Sequence, residues 1–123
     1  MRILVRFSLG ALMLVAGQPI EAQTVSDLIE ELAQLHDGVV GALDTAVSNS
    51  QQGDREGACS SAKYAQSLLT KMDKDVNAID AAVASSSDYD ADARSKWAAL
   101  ADKIRNFVRE EREVALTDWQ RTC

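Results

Sequence analysis

The fold of this chain is decided by the stretch ACSSAKYAQSLLTKMDKDVNAIDAAV, which runs from Ala58 to Val83. Its apolar residues recur in steps of four and three, the period of one face of an α-helix. They are Ala58, Ala62, Ala65, Leu69, Met72, Val76, Ile79 and Val83. A helix with such a stripe packs along its neighbours at a shallow crossing angle, and its alanines allow close approach. The stretch therefore predicts a bundle helix at about residues 55–84, with Asp54 as its N-cap.

A second stripe with similar spacing precedes this helix and predicts another helix at about residues 24–50. Its members are Val25, Ile29, Leu32, His36, Val39, Leu43 and Val47. Thr24 and Asp27 resemble a capping box at the start of the helix. Gly38 and Gly41 each cost a helix about 1 kcal/mol relative to alanine, but the stripe keeps its phase across both. We therefore predict one helix, which the glycines allow to bend, and a true break there is the alternative.

The third helix is predicted at about residues 90–121, after a serine-rich connection. Its apolar positions are Trp97, Leu100, Ile104, Phe107 or Val108, Ala115 and Trp119. Their phase shifts near Glu111, and Thr117–Asp118 is a candidate start for a short separate turn. Short connections make successive helices antiparallel neighbours, and no segment has strand-like alternation. The prediction is an all-α fold: an up-down-up antiparallel three-helix bundle of residues 23–123, after an N-terminal signal peptide.

The first 22 residues are typical of a secretory signal peptide. Arg2 and Arg6 flank the start of the apolar run FSLGALMLVA, and Pro19 and small residues follow it. The run is about half as long as the twenty residues that a membrane-spanning helix needs, so we expect no stable membrane anchor after cleavage. Cleavage is predicted after Ala22, with Gly17 as the second choice and an uncleaved or buried N-terminal helix as the alternative. We therefore expect a periplasmic or secreted protein.

The charge balance bears on the class of partner. The chain has 13 basic and 19 acidic residues. Cleavage after Ala22 removes two arginines and one glutamate, which leaves 11 basic and 18 acidic residues and a net charge of −7. An acidic chain repels phosphate backbones. We therefore predict no binding to nucleic acid.

The two cysteines, Cys59 and Cys123, both lie in the predicted mature part, and pairing is expected in an oxidising compartment. Antiparallel packing puts both at one end of the bundle. However, Cys59 lies 25 residues before Ala84, whereas Cys123 lies 31 to 35 residues after the third helix begins. That overhang of about 9–15 Å predicts a bend in the third helix or a tail that folds back near Thr117. A disulfide-linked dimer or free thiols are the alternatives to a monomer with an internal disulfide.

Candidate ligands for metals are few. Asp88, Asp90 and Asp92 match the first ligand positions of a calcium-binding loop, but Ala93 and Ala99 replace the glycine and glutamate that such a loop needs. We interpret the three acids as an N-terminal helix cap and its neighbours. The single histidine, His36, is interpreted as a flank residue whose ring is partly covered. We predict no catalytic, cofactor-binding or metal site, and no cofactor.

The aromatic residues are the remaining candidates for contact. Trp97, Trp119, Tyr64 and Phe107 are candidates to line a ligand pocket, although aromatic residues at helical spacing are typically core residues. Trp119 lies four residues before Cys123, beyond the regular stripe, and either covers a disulfide or contacts a partner. The mixed-sign run from Arg109 to Glu113 is typical of a solvated face.

We therefore expect an exported, non-enzymatic bundle that acts through contact with an unknown protein partner, with Trp119 as a contact residue. The alternative is a periplasmic carrier or sensor of a small apolar ligand or cation. An enzyme of unfamiliar type is a third hypothesis, disfavoured because a narrow bundle offers little concave surface on which to shift a carboxyl pKa.

Overall fold

The computed structural model describes residues 20–123, with side chains from Thr24 onward. Three helices make up this part of the chain: α1 (Ile20–Gln51), α2 (Arg55–Ser85) and α3 (Ala91–Thr122). The helices pack against one another without a strand in the described residues, which confirms the all-α three-helix bundle. The predicted signal peptide falls mainly on residues 1–19, which lie outside the described part, and it stays a prediction.

Both short connections end in an aspartate that caps the next helix. The carboxylate of Asp54 accepts a hydrogen bond from the Gly57 amide at 2.9 Å, and that of Asp90 accepts one from the Ala93 amide at 2.8 Å. Each bond satisfies an amide that the first helical turn would otherwise leave without a partner. Gly53, just before the first cap, has φ +79°, a backbone conformation that glycine adopts without strain. The predicted cap at Asp54 and the capping interpretation of the Asp88–Asp92 cluster are confirmed.

Helix α1 is continuous, as predicted, but it begins earlier than the capping-box pattern suggested. Thr24 and Asp27 lie inside the helix, because it starts at Ile20 and no glycine or proline interrupts residues 20–24. Gly38 lies in the contact between α1 and α2. A Cβ atom built on Gly38 would come within 3.0 Å of Leu68 Cδ1, so this glycine makes room for the Leu68 side chain.

The core follows the predicted stripes, and α2 contributes the most regular set. All eight residues of its stripe, from Ala58 to Val83, are buried. Helix α2 packs against both other helices, whereas α1 and α3 contact each other less. Among the predicted positions of α3, Leu100 is only half-buried and Trp119 is 39 % exposed, and two further residues differ from the prediction. Val47 is exposed because Ala46 takes the buried position in the last turns of α1, and Tyr64 is 58 % exposed because it lies beside the stripe of α2.

Cys59 and Cys123 form a disulfide within the chain, with their Cα atoms 5.2 Å apart. The predicted bend or fold-back of α3 is wrong, because the helix runs without interruption to Thr122. The register explains how the overhang is accommodated. Arg105 on α3 donates a hydrogen bond to Asn77 on α2. Asn77 lies 18 residues after Cys59, and Arg105 lies 18 residues before Cys123, so this bond and the disulfide define the same antiparallel register. At this register Ser85, the end of α2, lies opposite Trp97, so the first six residues of α3 extend about 9 Å beyond α2.

Candidate contact surface

Five residues of α3 form one continuous stripe on the side of the helix that borders α2. Arg105, Arg109, Arg112, Leu116 and Trp119 follow one another in steps of four and three. Residues with this spacing share one face of a helix. We call these five residues the α3 stripe. It is basic toward the middle of the bundle and apolar toward the disulfide end.

The apolar end of the α3 stripe lies beside the disulfide. Leu116 is 48 % exposed and Trp119 is 39 % exposed. The ammonium group of Lys63 on α2 lies 5.4 Å from the centre of the Trp119 ring, within the range of a cation–π contact. The disulfide joins the next turn of both helices, and the Cys123 amide donates a hydrogen bond to the Trp119 carbonyl. The disulfide therefore ties the helical turn that carries Trp119 to α2.

The basic end of the α3 stripe is held by acids of α2. Arg105 forms an ion pair with Asp80, and Arg112 forms one with Asp73 at 2.9 Å. Arg109 instead donates to the neutral Asn106 amide oxygen on its own helix, at 2.9 Å. Among the described residues, no carboxylate lies within ion-pair distance of Arg109. The basic end of the stripe thus has one guanidinium group that forms no ion pair with the described residues.

An open groove of about 310 Å³ follows the α3 stripe. Its lining combines the three arginines with Leu116, Val108, Asp73 and Glu113. Together with Lys63 and Asp80, the surface carries four basic and three acidic groups, so it has a net charge of +1. The whole chain has a net charge of −6. This basic surface was not predicted from the sequence, because acidic residues alternate with the arginines in the run 109–113. The four-and-three spacing of the three arginines is the signal that predicts a shared face.

A separate polar cluster lies between α1 and α2. The ammonium group of Lys71 is 3.2 Å from a carboxylate oxygen of Glu31 and 3.4 Å from one of Asp75. Asp75 is only 2 % exposed, and its Oδ2 atom accepts no hydrogen bond. The pKa of Asp75 is raised, mainly by burial and to a lesser extent by the neighbouring Glu31 carboxyl group. The pKa of Glu31 is lowered, mainly by a hydrogen bond with Asp75 and to a lesser extent by one with Lys71.

We interpret these opposite shifts as those of two neighbouring carboxyl groups that compete for a proton, which Asp75 holds more tightly than Glu31. The sequence analysis did not single out Asp75, although its position directly before the stripe residue Val76 places it at the edge of the seam.

His36 is more deeply buried than predicted. It is 3 % exposed, and its ring centre lies 4.6 Å from that of Phe107 on α3. Its Nδ1 atom is 3.1 Å from a carboxylate oxygen of Asp37. The interpretation of a partly covered flank residue is therefore wrong, because Phe107 packs against the ring from α3.

The acids before α3 have separate local partners. Asp90 caps the helix, Asp92 pairs with Lys96 at 3.0 Å, and Asp88 accepts a hydrogen bond from the Ser86 hydroxyl. Within residues 24–123, no three histidine, cysteine or acidic side chains come together as ligands for a metal ion.

Two further observations concern membrane-spanning helices and similarity to known proteins. In the described part of the chain, none of the three helices combines the length and the apolar composition that crossing a membrane requires. Compared with models of protein families, with curated proteins and with solved structures, the chain has no match in any of the three searches.

Proposed function

We propose that this chain is an exported, non-enzymatic helical-bundle protein that works in the periplasm or outside the cell by protein–protein contact, with the α3 stripe as its contact surface. One observation carries the proposal: Leu116 and Trp119, one helical turn apart, are both substantially exposed at the disulfide end of the bundle. Single exposed apolar residues are normal on a protein surface, and contiguous exposed apolar patches mark interaction sites.

The composition of the surface supports this proposal. Tryptophan and arginine are enriched at the residues that contribute most to binding in protein interfaces, and charged rims commonly surround such residues. The α3 stripe combines Trp119 with three arginines. Other exposed apolar residues, such as Tyr64 on the side of α2 that borders α1, lie on different faces.

The way the surface is held also supports a role in binding. The disulfide anchors one end of the stripe, and the ion pairs of Arg105 and Arg112 anchor the other to α2. Groups that are already ordered lose less conformational entropy when a partner binds. A surface fixed in this way favours recognition of a protein partner by rigid docking.

The second candidate is a carrier of a small apolar ligand or a cation. The observation that favours it is the groove of about 310 Å³, which lies at the lower end of the usual range for ligand pockets. The groove is open and lies on the surface of the bundle. The interior contact between the helices is instead closely packed, and the alanines of the α2 stripe are fully buried there. A small ligand there would keep much of its surface in water, so we prefer the protein contact.

Site-specific photo-cross-linking in the native host tests the proposed function. A photoreactive amino acid is placed at position 116 on the α3 stripe and, as a control, at position 110 on the opposite side of α3. We expect one defined protein to be cross-linked from position 116, identified by mass spectrometry, and not from position 110. If no protein is cross-linked from position 116 or from any other exposed position, the proposed function is wrong.

A further inference from the structure

We infer that the partner presents an acidic, amphipathic α-helix, which lies along the α3 stripe and the adjoining side of α2. This inference rests on the proposed function, because it names the chemistry of the partner. Acidic groups at one end of the partner helix meet the three arginines, and apolar side chains at its other end meet Leu116 and Trp119.

The shape of the surface favours a helix. Two helices that pack side by side leave a long groove beside their line of contact, and a third helix fits into it with its ridge of side chains at four-and-three spacing. Lys63 lies opposite Trp119 and Asp73 opposite Arg112, so both helices border this groove. Val108, which is buried, lines it together with Leu116.

The charges select an acidic partner. Arg109 has no carboxylate partner among the described residues, and its planar guanidinium group can bind a carboxylate through two hydrogen bonds. Ion pairs with Asp80 and Asp73 hold Arg105 and Arg112 in place. The N–H groups of these arginines that the ion pairs do not use are therefore already positioned to donate to a partner. The chain as a whole has a net charge of −6, so an acidic helix is attracted only by local basic surfaces such as this one.

The order of basic and apolar side chains along the α3 stripe determines the order of acidic and apolar residues that the partner helix needs. The arginines occupy three consecutive positions of the stripe, and the apolar residues occupy the next two. A partner helix that matches this order needs acids over about two turns and apolar residues over the following turn. This polarity distinguishes the surface from one that attracts any acidic chain.

A designed peptide provides the test with the mature, oxidised protein. The probe is an alanine-rich helix of about 18 residues, or five turns, with glutamates at three positions and leucines at the next two, in four-and-three spacing. A control peptide has the same composition, with these five residues distributed around the helix. Titration calorimetry measures the binding, together with quenching of tryptophan fluorescence, to which the exposed Trp119 and the buried Trp97 both contribute.

Matched variants locate the contact. Arg109→Glu reverses a charge on the stripe, and Lys103→Glu makes the same charge change on the opposite side of α3. We expect Arg109→Glu to weaken binding of the probe about tenfold, because the attraction between residue 109 and the glutamates of the probe becomes repulsion. We expect Lys103→Glu to change the binding less than about twofold, because residue 103 is far from the probe. Leu116→Ser is expected to weaken binding, whereas Val114→Ser, on another side of α3, is not. Circular dichroism and the melting temperature establish that each variant is folded.

Several results would overturn the inference. These are no binding of the probe, equal binding of the two peptides, or equal effects of Arg109→Glu and Lys103→Glu. Sedimentation of the protein with phosphatidylglycerol vesicles, without binding of the peptide, would assign the surface to anionic lipid. Dimerisation of the protein alone, abolished by Arg109→Glu, would assign it to a second copy.

Failure of this inference is distinguishable from failure of the proposed function. If a partner is cross-linked from position 116 but the cross-linked segment is not an acidic helix, the inference is wrong and the proposed function stands.

Discussion

Replacement of the buried carboxyl group of Asp75 by the isosteric amide, Asp75→Asn, is expected to stabilise the protein at neutral pH. The side chain is 2 % exposed, and Oδ2 accepts no hydrogen bond. When Asp75 is ionised, this buried oxygen finds no donor in the neighbouring Glu31 carboxylate, and a buried polar group without a partner costs about 1–3 kcal/mol. Asparagine donates its amide hydrogens to Glu31 without requiring a proton from solution, and its oxygen still accepts from Lys71. We expect the free energy of unfolding to rise by about 1–3 kcal/mol, which corresponds to at least about 4 °C in melting temperature for a domain of this size.

The effect has a defined dependence on pH. The pKa of Asp75 is raised in the folded protein, so between its ordinary value of 3.8 and the folded value the native state binds more protons than the unfolded state. The contribution of Asp75 to stability is therefore fully present below pH 3.8 and is lost as the pH rises through the folded pKa. The lowered pKa of Glu31 acts in the opposite direction in both proteins. The gain from Asp75→Asn should be small at pH 3.5 and grow toward pH 7.5.

Urea denaturation at several pH values, followed by circular dichroism with the disulfide intact, measures this difference. Asp73→Asn is the matched control, two residues away on the same helix. It removes only a half-exposed ion pair with Arg112, so it should lower stability by at most about 1 kcal/mol. If Asp75→Asn destabilises the protein at pH 7.5, or if its effect is independent of pH, the interpretation of Glu31 and Asp75 as carboxyl groups that compete for a proton is wrong.

Three further predictions concern the fold, and chemical denaturation checks each of them. Cys59→Ser should lower the free energy of unfolding by about 2–4 kcal/mol under oxidising conditions and have no effect once a reductant is added to both proteins. Gly41→Ala should raise it by up to about 1 kcal/mol, since a Cβ there meets no atom within 4 Å, whereas Gly38→Ala should gain less because Leu68 has to move. An equal gain at both glycines would contradict the close approach of α1 and α2. Asp54→Ala should cost about 1 kcal/mol through loss of the cap, and an unchanged midpoint would show that the cap contributes nothing.

Sequence periodicity was sufficient to predict the core of α2, because every residue from Ala58 to Val83 that continues the four-and-three steps is buried. Periodicity failed for Tyr64, which lies one position beside the stripe residue Ala65 and remains largely exposed. The continuity of α3 was also missed. The apparent mismatch in length assumed that α2 and α3 end flush, whereas the connection before Ala91 carries the chain beyond the end of α2.

The candidate surface was predicted only in part. Trp119 was singled out because it lies four residues before Cys123, and spacing of this kind is visible in the sequence. The basic end was not predicted, because whether Arg105 and Arg112 face the same groove depends on the register with Asp80 and Asp73. Asp75 was missed for a similar reason, since its burial depends on how closely α1 covers that side of α2.

The position of the disulfide determines which part of the molecule can detach. The bond closes a covalent ring that contains α2 and α3 but leaves α1 outside it. Helix α1 packs on α2 more extensively than α3 does, so the cross-link reinforces the weaker of the two interfaces. Opening of the oxidised protein should therefore begin with release of α1, while the α2–α3 hairpin and the groove beside it persist as a tethered unit.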